Sequence, residues 1–212
     1  MGFAGVRRVI LAGSASAYGD TGGDQPKEEH FLPAPLSPYA ASKLAMEYAA
    51  KVWSKCYGLD TICLRYFNVF GPRQRAAGAY ASVIPSFIND LLSDQTPIVH
   101  GDGRQSRDFT YVENVVDANL LAASRRESSG EAVVNIGTGR STTIRVLFDR
   151  LAVHCNRQGG APDSREKRAG DLDHSLANIG LAREVLGYEP RVEVDEGLRR
   201  TVEWWKGSRG LA

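Results

Sequence analysis

With 212 residues, the chain is long enough for one ample domain or for one domain and part of another. Its 42% hydrophobic and 24% charged content is that of an ordinary globular protein, and a net charge of +1 gives no global bias toward nucleic acid or an anionic membrane. No apolar run approaches the length that spans a bilayer, and Cys56, Cys63 and Cys155 are scattered without a CxxC pair. A reduced cytoplasmic protein without a disulfide or zinc framework is the simplest reading. The start, MGFAGVRRVI, lacks the apolar core of a signal peptide, and Val6 breaks the myristoylation pattern.

In chain order, VRRVILAGS is a continuous apolar run that suits a strand buried on both faces of a parallel sheet. A loop rich in Gly, Asp and Pro follows. Ser37 can then cap a helix with Pro38 at its first position, and Gly58 is its expected stop. Ala45, Tyr48, Ala49, Val52, Trp53 and Cys56 recur at about 3.6 residues and read as its packing face. DTICLRYFNVF is the next strand, closed by Gly71-Pro72, so residues 6–70 form one strand–helix–strand unit, expected to be right-handed and parallel.

Beyond it, YASVIPSFINDLLSD turns helical after Pro85, PIVHGDG and RDFTYV are short strand candidates, and VENVVDANLLAASRR is a helix. EAVVNIGTG is a strand into a turn, TTIRVLFDRLAVHC a helix, and NRQGGAPDSREKRAGD the most loop-like stretch. SLANIGLAREVLG and DEGLRRTVEWWKG read as two last helices. The order implies the end of a doubly wound α/β domain plus a smaller α/β cap. A strand, GxGxxG loop and helix for dinucleotide phosphates does not precede Tyr39. The nearest mimic, NIGTGRSTTIRVLF, has Gly137 and Gly139 but no third glycine.

SPYAASK places Tyr39 and Lys43 one helical turn apart on one face. On its own, such a tyrosine is as well explained as an aromatic packed on the preceding loop. GSASAYG, at the end of a strand, shifts the balance, because carboxyl ends of parallel strands are where α/β proteins bind ligands. Ser14 there can bond the same substrate oxygen as a tyrosine on the following helix. A free phenol has a pKa of about 10, and a lysine ammonium a few ångströms away stabilises the phenolate. That arrangement suits a general base taking a proton from an alcohol as hydride leaves.

Ser14, SPYAASK, LRYFNVFGPRQ, GDGRQSRDFTYVENVVDA, RAGDLDHSLANI and LGYEP together resemble the extended short-chain dehydrogenase/reductases (the NAD-dependent epimerase/dehydratase family) over essentially the whole chain. Among these the chain is most similar to UDP-sugar 4-epimerases, especially those acting on UDP-N-acetylglucosamine and UDP-glucose. The resemblance implies an α/β fold: the C-terminal part of a doubly wound Rossmann-like parallel sheet plus a smaller α/β substrate domain. Residues 1–70 would be the remaining part of the NAD-binding domain and 71–212 mainly the UDP-sugar-binding domain, with 107–136 a candidate to return to the sheet.

By the same resemblance, Tyr39 takes the proton of the sugar 4-hydroxyl, Lys43 tunes it and holds the nicotinamide ribose, and Ser14, four residues before Tyr18, bonds the same hydroxyl. NAD takes a hydride from C4 and returns it to the other face of a 4-keto sugar. Phe67 and the Gly71-Pro72 turn would wall the nicotinamide. Asn68 reaches the diphosphate, Arg107 and Arg168 clamp it, and Asp171 takes a uridine ribose hydroxyl. Val83 and Ile84, with Ile98 and His100 of the IVHG segment, match the uracil-contacting stretches. A guanidinium fork suits phosphate oxygens, whereas Arg73 and Arg104 read as solvated surface charges.

Related 4,6-dehydratases carry an Asp-Glu pair after the Ser14 position. Here Ala15 and Ser16 stand there, so dehydration is disfavoured and Ser16 joins the substrate side. At Ser175, seven residues after Arg168, plain-hexose relatives hold a tyrosine, and a small side chain leaves room for an N-acetyl group. The histidines have no metal-ligand spacing, GSASA lacks a hydrolase elbow, and the VEWWKG tryptophans read as packing anchors. The family extends about 100 residues further at its N-terminus, including the Gly-rich loop. The expectation is therefore an N-terminally truncated chain with an exposed edge on the Val9–Ala12 strand. The alternative to an epimerase is a non-catalytic fragment that binds a UDP-sugar weakly at most. Family homodimers pair the tyrosine-bearing helix with the one before it, which counts against that dimer here.

Overall fold

The structure, a computed structural model, describes residues 5–75, 82–127, 130–157, 160–167 and 172–210. Strand β1 (Arg8–Ser14) runs into a 3-10 turn (Ala15–Tyr18), and helix α1 (Pro38–Tyr57) begins after a long loop. Ser37 caps α1 by accepting from the Ala40 amide, Pro38 opens it, and Gly58 ends it in the left-handed conformation. Strand β2 (Asp60–Tyr66) is buried almost throughout and pairs in parallel with β1. The short strand β3 (Val69–Phe70) and helices α2 (Val83–Leu92) and α3 (Val112–Ser124) follow, with β4 (Ile98–His100), β5 (Ser106–Arg107) and β6 (Thr110–Tyr111) between the helices. Strand β7 (Glu131–Ile136) joins the far side of β2 in parallel, giving the sheet order β1-β2-β7.

The rest is β8 (Thr142–Thr143), α4 (Ile144–His154), β9 (Asp163–Arg165), β10 (His174–Ser175), α5 (Gly180–Leu186) and α6 (Val194–Ser208). The minor strands form a sheet β10-β5-β8 and the pairs β3-β6 and β4-β9. Two cores result. One lies between the β1-β2-β7 sheet, α3 and α5, around Ile62, Leu64, Val134, Ile136 and Tyr188. The other, around Phe87, Leu147, Leu151, Leu198 and Val202, joins α2, α4 and α6. This is the doubly wound α/β class with a smaller α/β part. No helix among the described residues is long and apolar enough to cross a membrane.

Five local expectations change. The apolar stripe on α1 faces outward, with Tyr48, Val52 and Trp53 exposed, while Ala40, Glu47 and Ala50 are buried. Small alanines let the helix approach the sheet, and an arginine on β2 takes the Glu47 charge, so the inward face need not be apolar. DTICLRYFNVF is not one strand: Asn68, at φ 31°, breaks it, and β3 turns away to pair with β6. The loop-like NRQGGAPDSREKRAGD stretch contains β9, and SLANIGLAREVLG begins as β10, with helix only from Gly180. In YASVIPSFINDLLSD the helix starts at Val83 rather than after Pro85, with the proline in its first turn, where its missing N–H costs nothing.

Arg8 ties the strand β1 to the far end of α3. It pairs with Asp60 at 2.6 Å and donates to the carbonyls of Ala122, Arg125 and Glu127. A cation on the last helical carbonyls satisfies groups the helix leaves open. At the other end of β1, Gly13 sits so close to β2 that an added Cβ would lie 2.8 Å from Cys63 Sγ. The carboxyl ends of β1 and β2 therefore meet without a side chain between them.

Candidate active site

A cleft of about 360 Å³ opens at these carboxyl ends. It is lined by Gly13, Ser14, Ala15 and Ser16 after β1, Tyr39 from α1, Tyr66, Asn68 and Val69 after β2, Arg107 from β5, and Leu172 and Ser175. Residues far apart in sequence thus meet because β1, β2 and α1 all point their ligand-bearing ends the same way.

Tyr39 stands at the cleft and is 48% exposed. Lys43, one turn on, donates from Nζ to the Ala12 carbonyl at 2.9 Å and lies 5.7 Å from the Tyr39 ring centroid. The main chain of β1 therefore holds the ammonium beside the phenol ring. Opposite, Ser14 caps the 3-10 turn: its Oγ accepts from the Ser16 amide at 3.2 Å and shares a 2.8 Å hydrogen bond with Ser16 Oγ. Two hydroxyls and a phenol face one space, with a cation behind the phenol. The set can hold an alcohol oxygen and relay its proton.

The far wall carries Asn68, Arg107 and Ser175. Asn68 donates from Nδ2 to the Asp108 carbonyl at 3.1 Å, and Arg107 donates to the carbonyls of Ser106 at 2.9 Å and Asp173 at 3.3 Å. Ser175 is buried and lies directly across from Arg107 in the β10–β5 ladder. Arg168 and Asp171 lie outside the described residues.

Other expected site residues lie elsewhere. Phe67 is fully buried against Tyr18, with ring centroids 6.3 Å apart, and does not reach the cleft. Strand alternation explains this, since Tyr66 before it takes the cleft side. Ile84 is fully buried in the α2–α4–α6 core, and Val83 packs against it. Ile98 and His100 are on β4, where His100 Nδ1 contacts the Glu166 carbonyl at 3.1 Å, and neither lines the cleft.

The turn after β7 has a different use from a phosphate cradle. The Thr138 and Gly139 amides donate to the carboxylate of Asp108, at 2.8 and 2.9 Å. A Cβ on Gly137 would lie 2.7 Å from that carboxylate, so the chain closes tightly over it. Burial pushes the Asp108 carboxyl above its ordinary value, and hydrogen bonds from Thr138, Ala177 and Gly139 offset part of the rise. A carboxylate already fills this anion site. Nothing local in the sequence marks Asp108, because the groups it binds are distant in the chain. For a nicotinamide cofactor, the donor set at Tyr39 and Lys43 fits the reacting ring and its ribose. The Gly137–Gly139 turn does not fit the phosphates.

The chain belongs to the NAD dependent epimerase/dehydratase family, whose pattern it matches over residues 1–137. Within that family it is 37% identical over 206 residues to the UDP-glucose 4-epimerase of Mycolicibacterium smegmatis, covering 96% of this chain and 64% of that protein. The UDP-N-acetylglucosamine 4-epimerase from Methanobrevibacter ruminantium M1, solved in complex with UDP-N-acetylmuramic acid, superposes with a TM-score of 0.89 at 38% identity. It is matched over 96% of this chain and 64% of its own. UDP-glucose 4-epimerase from Thermotoga maritima, solved with UDP-glucose, gives a TM-score of 0.90 at 37% identity, over 97% of this chain and 65% of its own. The chain spans about 64% of the length of such curated relatives.

Proposed function

We propose that the protein serves NAD-dependent 4-epimerisation of a UDP-hexose or UDP-N-acetylhexosamine through a 4-keto sugar. The carrying observation is that Ser14, Ser16 and Tyr39 line one cleft with Lys43 anchored to Ala12 beside them. Tyr39 takes the proton from the sugar 4-hydroxyl and gives it back. Lys43 supports the phenolate and reaches the ribose next to the nicotinamide. Ser14 and Ser16 hold the reacting oxygen, and their mutual hydrogen bond keeps both hydroxyls aimed at it. Bound NAD supplies the hydride acceptor and donor. Asn68 and Arg107 face the diphosphate, where a planar guanidinium can pair with two oxygens at once. The family resemblance assigns Arg168 and Asp171 to the nucleotide side as well, whereas Val83, Ile84, Ile98 and His100 lie away from this cleft and carry no part of the proposal.

Dehydration finds no support in the cleft: Ala15 and Ser16 occupy the positions where an acid and a base would be needed. Ser175, small and on the wall, favours room for a 2-N-acetyl group. The relatives named above bear on this choice, since one acts on UDP-glucose and another on UDP-N-acetylglucosamine. The test is to incubate the protein with NAD and either UDP-glucose or UDP-N-acetylglucosamine and follow the C4 epimer by chromatography. Epimer formation that vanishes in Tyr39→Phe supports the proposal. Release of a 4-keto-6-deoxy sugar would point to dehydration instead.

A further inference from the structure

We propose that Asp108 is a positioning residue for the nucleotide wall of the cleft, fixing Asn68, Arg107 and Ser175 relative to the sheet. The inference rests on the UDP-sugar reading above and extends it to a residue outside the cleft lining. Asp108 is fully buried and reaches every part of that wall. Its amide donates to the Ser175 carbonyl at 2.7 Å, and its carbonyl accepts from Asn68 Nδ2 at 3.1 Å. Its carboxylate binds the turn after β7. Oδ1 accepts from the Thr138 amide at 2.8 Å and from Thr138 Oγ1 at 2.6 Å, while Oδ2 accepts from the amides of Gly139 at 2.9 Å and Ala177 at 3.3 Å.

The wall needs such a latch because its own strands are short. β5 and β10 are each two residues long, and strands of that length have little stability by themselves. Arg107 is the last residue of β5, next to Asp108, and Ser175 is its partner in register. Asn68 sits in a left-handed conformation that a side-chain bond to the Asp108 carbonyl helps hold. The main chain of Asp108 thus joins β5 to β10 and to the turn after β2, and its carboxylate fastens that junction to the turn after β7 and to Ala177 beyond β10. An ionised carboxyl accepts at both oxygens, whereas an asparagine there turns an N–H toward the Oδ1 or the Oδ2 donors.

The experiment is calorimetric titration of UDP into the unmodified protein and into Asp108→Asn, Thr138→Val, Arg107→Ala and the Asp108→Asn/Arg107→Ala double variant. Thermal melts confirm that each is folded. Asp108→Asn is expected to weaken UDP binding by about tenfold or more, and Thr138→Val, which removes one donor, by a smaller factor in the same direction. On the Arg107→Ala background, Asp108→Asn should add less than about twofold, because the two act through one contact. A merely destabilising change would lower the melting temperature and leave the two losses additive. Full additivity overturns the inference, and so does unchanged UDP affinity in Thr138→Val, which decides the matter if Asp108→Asn does not fold. Absence of UDP binding by the unmodified protein is a separate result. It removes the nucleotide reading itself, and the inference with it.

Discussion

Glu47 and Arg65 form a two-pronged ion pair beneath the cleft. Arg65 Nε donates to Oε1 at 3.0 Å and Nη2 to Oε2 at 2.7 Å, and both side chains are only 4% exposed. Glu47 is one helical turn beyond Lys43 and two beyond Tyr39, on the inward side of α1. Arg65 is on the central strand β2, 4.6 Å from the Tyr18 ring, and Tyr18 ends the turn that carries Ser14 and Ser16. Tyr18 in turn donates to Asn135 on β7 at 2.7 Å. A continuous buried polar chain therefore sets the rotation of α1 against the serine turn. Burial alone disfavours the Arg65 charge, but the hydrogen bonds it donates to Glu47, with the Glu47 and Tyr18 charges, outweigh it and hold the guanidinium above its ordinary value.

Removing one partner strands the other. Glu47→Ala should cost about 3–5 kcal/mol of folding stability, because a buried guanidinium is left uncompensated. Replacing both residues with apolar ones, as in Glu47→Leu with Arg65→Met, should cost far less. Urea unfolding of the three proteins measures this. Equal losses for the single and paired replacements would show that packing, not the charge, governs the site. The exposed pairs of Arg199 with Glu196 and Glu203 on α6 are screened by water and should matter little by comparison.

The groups proposed to react should behave differently from the buried pair. Tyr39 is half exposed, so Tyr39→Phe should leave the unfolding midpoint unchanged while lowering kcat by about 10²–10⁴-fold, the range of a lost general base. UDP affinity should stay within about twofold, since the change lies at the sugar end. Lys43→Met, which gives up the bond to the Ala12 carbonyl, should lower kcat in the same direction. Substantial turnover remaining in Tyr39→Phe would transfer the base role to another group.

The sequence made the strand–helix–strand unit legible because its signals are local: a Ser37 cap, a Gly58 stop and two apolar runs. Six of the cleft residues were also within reach: Ser14 and Tyr39 from their own setting, and Ser16, Asn68, Arg107 and Ser175 through the family resemblance. The orientation of α1 was not legible. Its apolar stripe, including Tyr48, Val52 and Trp53, obeys the helical period but points outward, since Glu47 can be buried only once Arg65 is known to meet it. Asp108 was hidden for a similar reason: its partners, Thr138, Gly139 and Ala177, are thirty or more residues away. The strands β5, β9 and β10 are too short to show a period at all.

Alkaline pH should destabilise the protein. Burial is the main cause that pushes the thiol of Cys63 up to about 12 and that of Cys155 up to about 11, with the Glu47 charge adding to the rise at Cys63. Burial likewise pushes the Tyr18 hydroxyl up to about 12. Each group keeps its proton longer in the folded chain than in the unfolded one, where thiols ionise near the ordinary value of 9.0. The stability they contribute is complete below that value and is lost as pH rises from it toward 11 and 12. Urea midpoints should therefore fall as pH rises from about 9 to about 11, and fall less steeply in Cys155→Ala. A flat profile over that range would contradict the assignment.

On the proposed UDP-sugar reading, substrate preference turns on one position. Ser175 is buried on the cleft wall, and the Asp108 amide holds its carbonyl at 2.7 Å, so its Cβ direction is fixed. Ser175→Tyr adds a ring where the strand cannot move to accommodate it, in a space of about 360 Å³. A steric block discriminates by excluding the larger substrate rather than by binding the smaller one better. Turnover of UDP-N-acetylglucosamine should accordingly fall by about 100-fold or more, with UDP-glucose turnover kept within about tenfold, a difference in the range that pocket shape alone can supply. Steady-state kinetics on both substrates decide it. A parallel loss on the two would mean that the ring disturbs Arg107 across the ladder, and no loss on either would place the N-acetyl group away from this wall.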